Sequence, residues 1–107
     1  MSNKTEKYVS LISQLAAEFL NYHSNGASLI TVTNCTISDD LKRSTIYITV
    51  FPDDKEADAL NFAKRQRAEL RDFIKGKAKL GVLPFLEVEI DKGEKARQRI
   101  DELINKG

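Results

Sequence analysis

A chain of 107 residues with 41% hydrophobic and 31% charged side chains and a net charge of +1 reads as a folded domain, neither a disordered tail nor a polyelectrolyte. A lone cysteine, Cys35, excludes an internal disulfide and fits a reducing compartment, and no apolar run approaches the roughly 18 residues that span a bilayer. Residues 1–6 lack a signal-peptide layout, so a single cytoplasmic domain over residues 1–107, monomeric and with no membrane partner, is expected.

Residues 4–20 are predicted to form an amphipathic helix, because Tyr8, Leu11, Ile12, Leu15, Ala16 and Phe19 recur at three- and four-residue spacings. Ser2 or Thr5 can cap its start, and the stretch from Asn21 to Gly26 is rich in residues that leave helical geometry. Residues 28–38 and 43–51 read as two strands joined by Asp39-Asp40-Leu41-Lys42. In the second, Ile46, Ile48 and Val50 alternate with Thr45, Tyr47, Thr49 and Phe51, so the aliphatic set shares one face. In the first, Ile30 and Val32 fall out of phase with Cys35 and Ile37, which predicts a bulge near Thr33-Asn34.

Pro52 ends the hairpin, and Asp53-Asp54-Lys55-Glu56 opens a helix with acids where the helix dipole favours them. Its apolar residues Leu60, Ala63, Leu70, Phe73 and Ile74 do not keep one straight stripe, so either the helix kinks between Arg65 and Glu69 or two helices meet there. Leu86, Val88 and Ile90 alternate with Glu87, Glu89 and Asp91 in a third strand with one wet face. Residues 94–105 close the chain as a short helix with Ala96, Ile100, Leu103 and Ile104 inward. The order α-β-β-α-α-β-α predicts an α+β domain with helices packed on one face of a small three-stranded mixed sheet.

Catalytic chemistry is poorly supplied. His23 lies far in sequence from Cys35, and neither a CxxC nor an HxxxH spacing occurs to hold zinc. Glu87, Glu89 and Asp91 could form a carboxylate row, but such alternation is the ordinary solvent face of a half-buried strand. The Gly76–Gly81 spacing follows a helix and lacks the Lys-Ser/Thr of a phosphate loop.

Charge is the informative feature. Residues 64–79 hold seven Lys or Arg against two acids, so the rest of the chain is net negative. Concentrated positive charge attracts a polyanion. An αββααβ order with basic charge at the helix–helix junction is the layout of a KH domain, but Gln66-Arg67-Ala68-Glu69 stands where the GxxG clamp belongs. Contact must then rest on Lys and Arg touching RNA phosphates.

Several segments in this order resemble one family. They are Leu29-Ile30-Thr31-Val32-Thr33, Ser38-Asp39-Asp40-Leu41 leading to Ile46-Tyr47-Ile48-Thr49-Val50, Leu70-Arg71-Asp72-Phe73-Ile74, Leu80-Gly81-Val82-Leu83-Pro84, and Arg99-Ile100-Asp101-Glu102-Leu103-Ile104. Together they are similar to the bacterial ribosome-binding factor A proteins over residues 5–104. The resemblance implies a type-II KH-like fold with a helix kink, commonly Ala-x-Gly, in place of GxxG. It also implies a non-enzymatic assembly factor that contacts the 16S rRNA of the small (30S) ribosomal subunit near the decoding region, assists late rRNA processing and maturation, and serves cold adaptation. Such a factor needs no cofactor, and a partner GTPase or later assembly events release it.

The chain departs from that pattern at four places. Gln66-Arg67-Ala68 lacks the glycine, Asn21 to Ala27 lacks Asp-Pro-Arg, Phe85 replaces an acid after Pro84, and no extended basic tail follows Ile104. The expected RNA contacts are Arg67, Arg71, Lys75, Lys77 and Lys79, with Lys64, Arg65, Lys42 and Arg43 peripheral. The rival reading is a protein–protein adaptor using the open sheet face with Tyr47, Phe51 and the acidic strand.

Overall fold

The alternation of Ile46, Ile48 and Val50 builds the middle strand of the sheet. In the computed structural model, which describes residues 3–23, 28–79 and 81–106, β2 (Arg43–Phe51) lies between β1 (Leu29–Ile37) and β3 (Phe85–Ile90). β1 pairs antiparallel with β2, as a short hairpin turn requires. β3 runs parallel to β2, with Val88 beside Ile46 and Ile90 beside Ile48, as a helical crossover allows. The register of β1 slips between Val32 and Asn34, where the change of phase predicts a bulge.

Three helices cover one face. α1 (Asn3–His23) lies along β1 and against α3 (Arg67–Ala78), while α2 (Glu56–Arg65) lies over β2 and β3 behind a 3-10 turn, Asp53–Lys55. The core joins Ile12, Ala16, Phe19 and Leu20 of α1 to Ile30, Ile46, Ile48, Leu86 and Val88 of the sheet and to Ala59, Ala63, Leu70 and Ile74. Each fully buried aliphatic side chain contributes about 1.5–3 kcal/mol relative to exposure. α1 runs through the predicted stop at Asn21, whose side-chain amide donates to the Ala17 carbonyl at 2.8 Å, so Leu20 joins the core. Thr5 lies inside that helix rather than at its cap, and Ser2 falls outside the described residues, as do residues 24–27 of the following turn.

Two helices, not one kinked helix, meet at Gln66. That residue has φ −88° and ψ 6°, and its N–H donates to the Phe62 carbonyl at 3.0 Å while its carbonyl accepts from the Leu70 N–H at 2.8 Å. A negative φ suits any side chain. Positive φ among described non-glycine residues occurs at Leu41 and Lys79 alone, so the missing glycine of Gln66-Arg67-Ala68 costs this joint nothing.

α4 (Lys92–Lys106) departs from expectation. Ala96 is exposed, Ile100 is 56% and Leu103 66% exposed, and the Ile104 side chain falls outside the described residues. The reason is how the helix is held. Asp91 caps it, its Oδ1 accepting from the Glu94 N–H at 2.9 Å, and Lys95 Nζ meets Glu56 Oε2 at 2.8 Å. Lys95, Gln98 and Arg99 then line a groove of about 320 Å³ with Leu29, Thr31, Thr49 and Phe51 of the sheet's other face. The polar flank of α4 therefore turns to the sheet, and the apolar stripe turns outward.

Candidate nucleic-acid interface

Arg67, Arg71 and Lys75 recur every four residues along α3, which puts them on one flank beside the buried Leu70 and Ile74. None of the nine sequence-predicted cations holds a carboxylate within salt-bridge distance among the described residues. All but Arg67 are exposed. The charge of the exposed ones thus faces solvent without a paired carboxylate, the condition for contact with a polyanion.

The fold brings the hairpin to the helix junction. The Phe85 N–H donates to the Lys42 carbonyl at 2.8 Å, and Phe85 pairs with Arg43 in the parallel register. The guanidinium carbon of Arg67 lies 4.8 Å from the centroid of the Phe85 ring. Lys42 and Arg43, peripheral by sequence, are therefore neighbours of the junction. The hairpin turn that presents them is well tied: Asp40 accepts from the Ser38 hydroxyl at 2.6 Å and from the Lys42 N–H at 3.0 Å. The Ser38 hydroxyl is also the main reason the Asp40 carboxyl sits below the usual carboxylate range.

Other predicted residues point elsewhere. Lys77 Nζ lies 5.6 Å from the Phe73 ring, and Phe73 in turn packs at 5.5 Å on Phe19 of α1. Lys64 lines a groove of about 520 Å³ along β3 with Tyr47, Leu60, Glu89 and Asp91, so acids lie on the same groove wall as its charge. Arg65 ends α2 exposed, and Lys79 ends α3 in the left-handed conformation, φ 51°. Charge counting did not place Phe85 beside these cations; a large aromatic directly after a proline at a strand start was the available signal.

Among the described residues catalytic groups do not gather. Cys35 is buried with its Sγ 3.4 Å from Ser44 Oγ, and burial pushes its thiol up, away from a nucleophilic thiolate. The His23 side chain falls outside the described residues. Among the described residues no group of three His, Cys, Asp or Glu is placed to hold a metal, and no helix is long and apolar enough to cross a membrane.

Comparison with known proteins gives one answer. The family model for ribosome-binding factor A matches residues 4–104. Ribosome-binding factor A of Fervidobacterium nodosum is 28% identical over 79 residues, 73% of this chain and 63% of that protein. The chain spans less than two thirds of the length of this and two further curated relatives. Among solved structures, the crystal structure of ribosome-binding factor A from Thermus thermophilus matches with a TM-score of 0.71 at 21% identity, covering 80% of this chain and 94% of that one. A homology model of the Thermus thermophilus protein, fitted into a cryo-EM map of a 30S complex, matches with a TM-score of 0.69 at 21% identity, covering 78% and 91%. The family match runs from α1 to α4, and these neighbours share the KH-like α+β fold. This chain belongs to the ribosome-binding factor A family.

Proposed function

We propose that this protein is a ribosome assembly factor that binds the small (30S) ribosomal subunit through its rRNA and assists late 16S rRNA processing. The observation that carries the reading is the α3 flank of Arg67, Arg71 and Lys75, joined by Lys42 and Arg43 at the junction, with no carboxylate paired to any of them among the described residues. The Thermus thermophilus relative, fitted into a 30S complex, supports the small subunit as partner. With side chains at Gln66-Arg67-Ala68-Glu69, backbone clamping of nucleotides is replaced by charge-assisted contact with phosphates of folded RNA. Residues 1–107 act as one cytoplasmic, monomeric domain without catalysis or cofactor, and an assembly GTPase is the expected releasing partner.

The test is co-sedimentation of the purified protein with small subunits across a salt series, with large subunits as control. Selective binding that weakens with a log–log slope of about −0.7 to −0.9 per phosphate contact is expected. Equal, salt-insensitive recovery with both subunits, or with neither, would reject the assignment.

A second reading, a protein adaptor using the open sheet face, is favoured by one observation. Phe51 is 72% exposed beside Leu29, and α4 displays Ile100 and Leu103 outward nearby. Such an interface would show little salt dependence, so the same series separates the two.

A further inference from the structure

Phe85 opens β3 and is 46% exposed, although an aromatic ring stabilises most when buried. The ring is fixed in place nonetheless. Its backbone is bonded to Lys42 and registered against Arg43, and the Arg67 guanidinium sits over its face. Val82, three residues earlier, is exposed as well. A held, solvent-facing aromatic beside three cations offers an unpaired base a π surface and offers the flanking phosphates their counter-charge. A duplex cannot use the ring, because its bases already stack on each other. An apolar protein partner would bury those three cations without carboxylates to meet them.

We infer that Phe85, with Arg67 stacked on it, seats one unpaired RNA base, and that Lys42 and Arg43 hold the adjoining phosphates. This rests on the RNA-binding reading above and narrows it to a single-stranded segment at the helix junction. Phe85 thereby supplies, through stacking, a grip that the absent GxxG cannot.

The experiment is fluorescence anisotropy of the intact protein with a labelled oligoadenylate and with the same strand in a duplex, each over a salt series. Phe85→Leu keeps apolar bulk and removes the π face. Its affinity for the single strand should fall about five- to hundredfold, with duplex affinity and salt slope unchanged because no charge is lost. Phe85→Trp should restore single-strand binding. Wild-type affinity of F85L for the single strand overturns the base seat, and a slope still lowered by Arg71→Gln shows that the phosphate flank survives it. Equal loss on single strand and duplex also overturns the seat, since that pattern marks general structural damage. Absence of salt-dependent binding by the wild-type protein to either RNA overturns the seat, and the reading beneath it falls with it only where small-subunit co-sedimentation fails as well.

Discussion

Thr33 Oγ1 donates a 2.6 Å hydrogen bond to Asp91 Oδ2, and so joins the bulge of β1 to the N-cap of α4 across the face of β2. The bulge leaves Thr33 out of the ladder and free to reach over the strand, its hydroxyl also lying 3.3 Å from the Tyr47 carbonyl. The Lys95–Glu56 pair, partly exposed, is worth only about 0–1 kcal/mol. Asp91 is therefore the main anchor of α4. Asp91→Ala should cost about 1–2 kcal/mol and Thr33→Val about 0.5–1.5 kcal/mol, both read from urea unfolding. Asp91→Asn, which still caps, should cost less than Asp91→Ala. Faster amide exchange confined to α4 in both damaging variants would localise the effect.

The same contact sets a pH response. The Thr33 hydroxyl, and after it the Glu94 amide, hold the Asp91 carboxyl below the usual carboxylate range. A depressed folded-state value means that this contribution is present above the unfolded-state value and is lost as pH falls through the folded one. α4 should therefore loosen only in acid. In Thr33→Val the Asp91 titration, followed by carboxyl NMR, should move back up toward the ordinary range; an unmoved titration would show that the hydroxyl is not the cause.

Lys79 and Leu41 both adopt the left-handed conformation, yet the two should answer oppositely to glycine. Lys79, φ 51°, is exposed at the end of α3, so Lys79→Gly should relieve strain and raise stability by about 0.5–1 kcal/mol. Leu41, φ 61°, packs against the core, so Leu41→Gly should lower stability because lost burial outweighs the relief. Thermal melts of the two variants check the contrast. K79G should at the same time weaken RNA binding, because it removes a cation.

The junction gives a fourth expectation. Since neither Arg67 nor Ala68 has a positive φ, Ala68→Gly, which restores the usual glycine, should destabilise the protein by about 0.5–1 kcal/mol. A stabilised A68G variant would mean that the joint is strained after all.

Individual cations should differ in their salt signature. Arg71→Gln should reduce the log–log salt slope of small-subunit binding by about 0.7–0.9, the share of one phosphate contact. Lys64→Gln, in the β3 groove that Glu89 and Asp91 also line, should change it less. Charge reversal of Arg71, Lys75 and Lys79 together should abolish binding while unfolding stays cooperative, because all three are exposed. Retained binding by that triple variant would move the interface off α3.

Features that depend on near neighbours in the chain were legible from the residues alone. Period-two alternation set the buried faces of β2 and β3, the phase slip at Thr33-Asn34 located the bulge, and three-and-four spacing set the inner face of α1. The count of cations between Lys64 and Lys79 likewise marked α3 as the charged element. Tertiary structure decided what depends on residues far apart. It set β3 parallel beside β2, brought Arg43 and Lys42 to Phe85 and Arg67, and placed Lys64 in a groove shared with Glu89 and Asp91. It also reversed the expectation for α4. A helix pattern tells which residues share a face, but not which face meets the sheet; here the Asp91 cap and the Lys95–Glu56 pair chose the polar one.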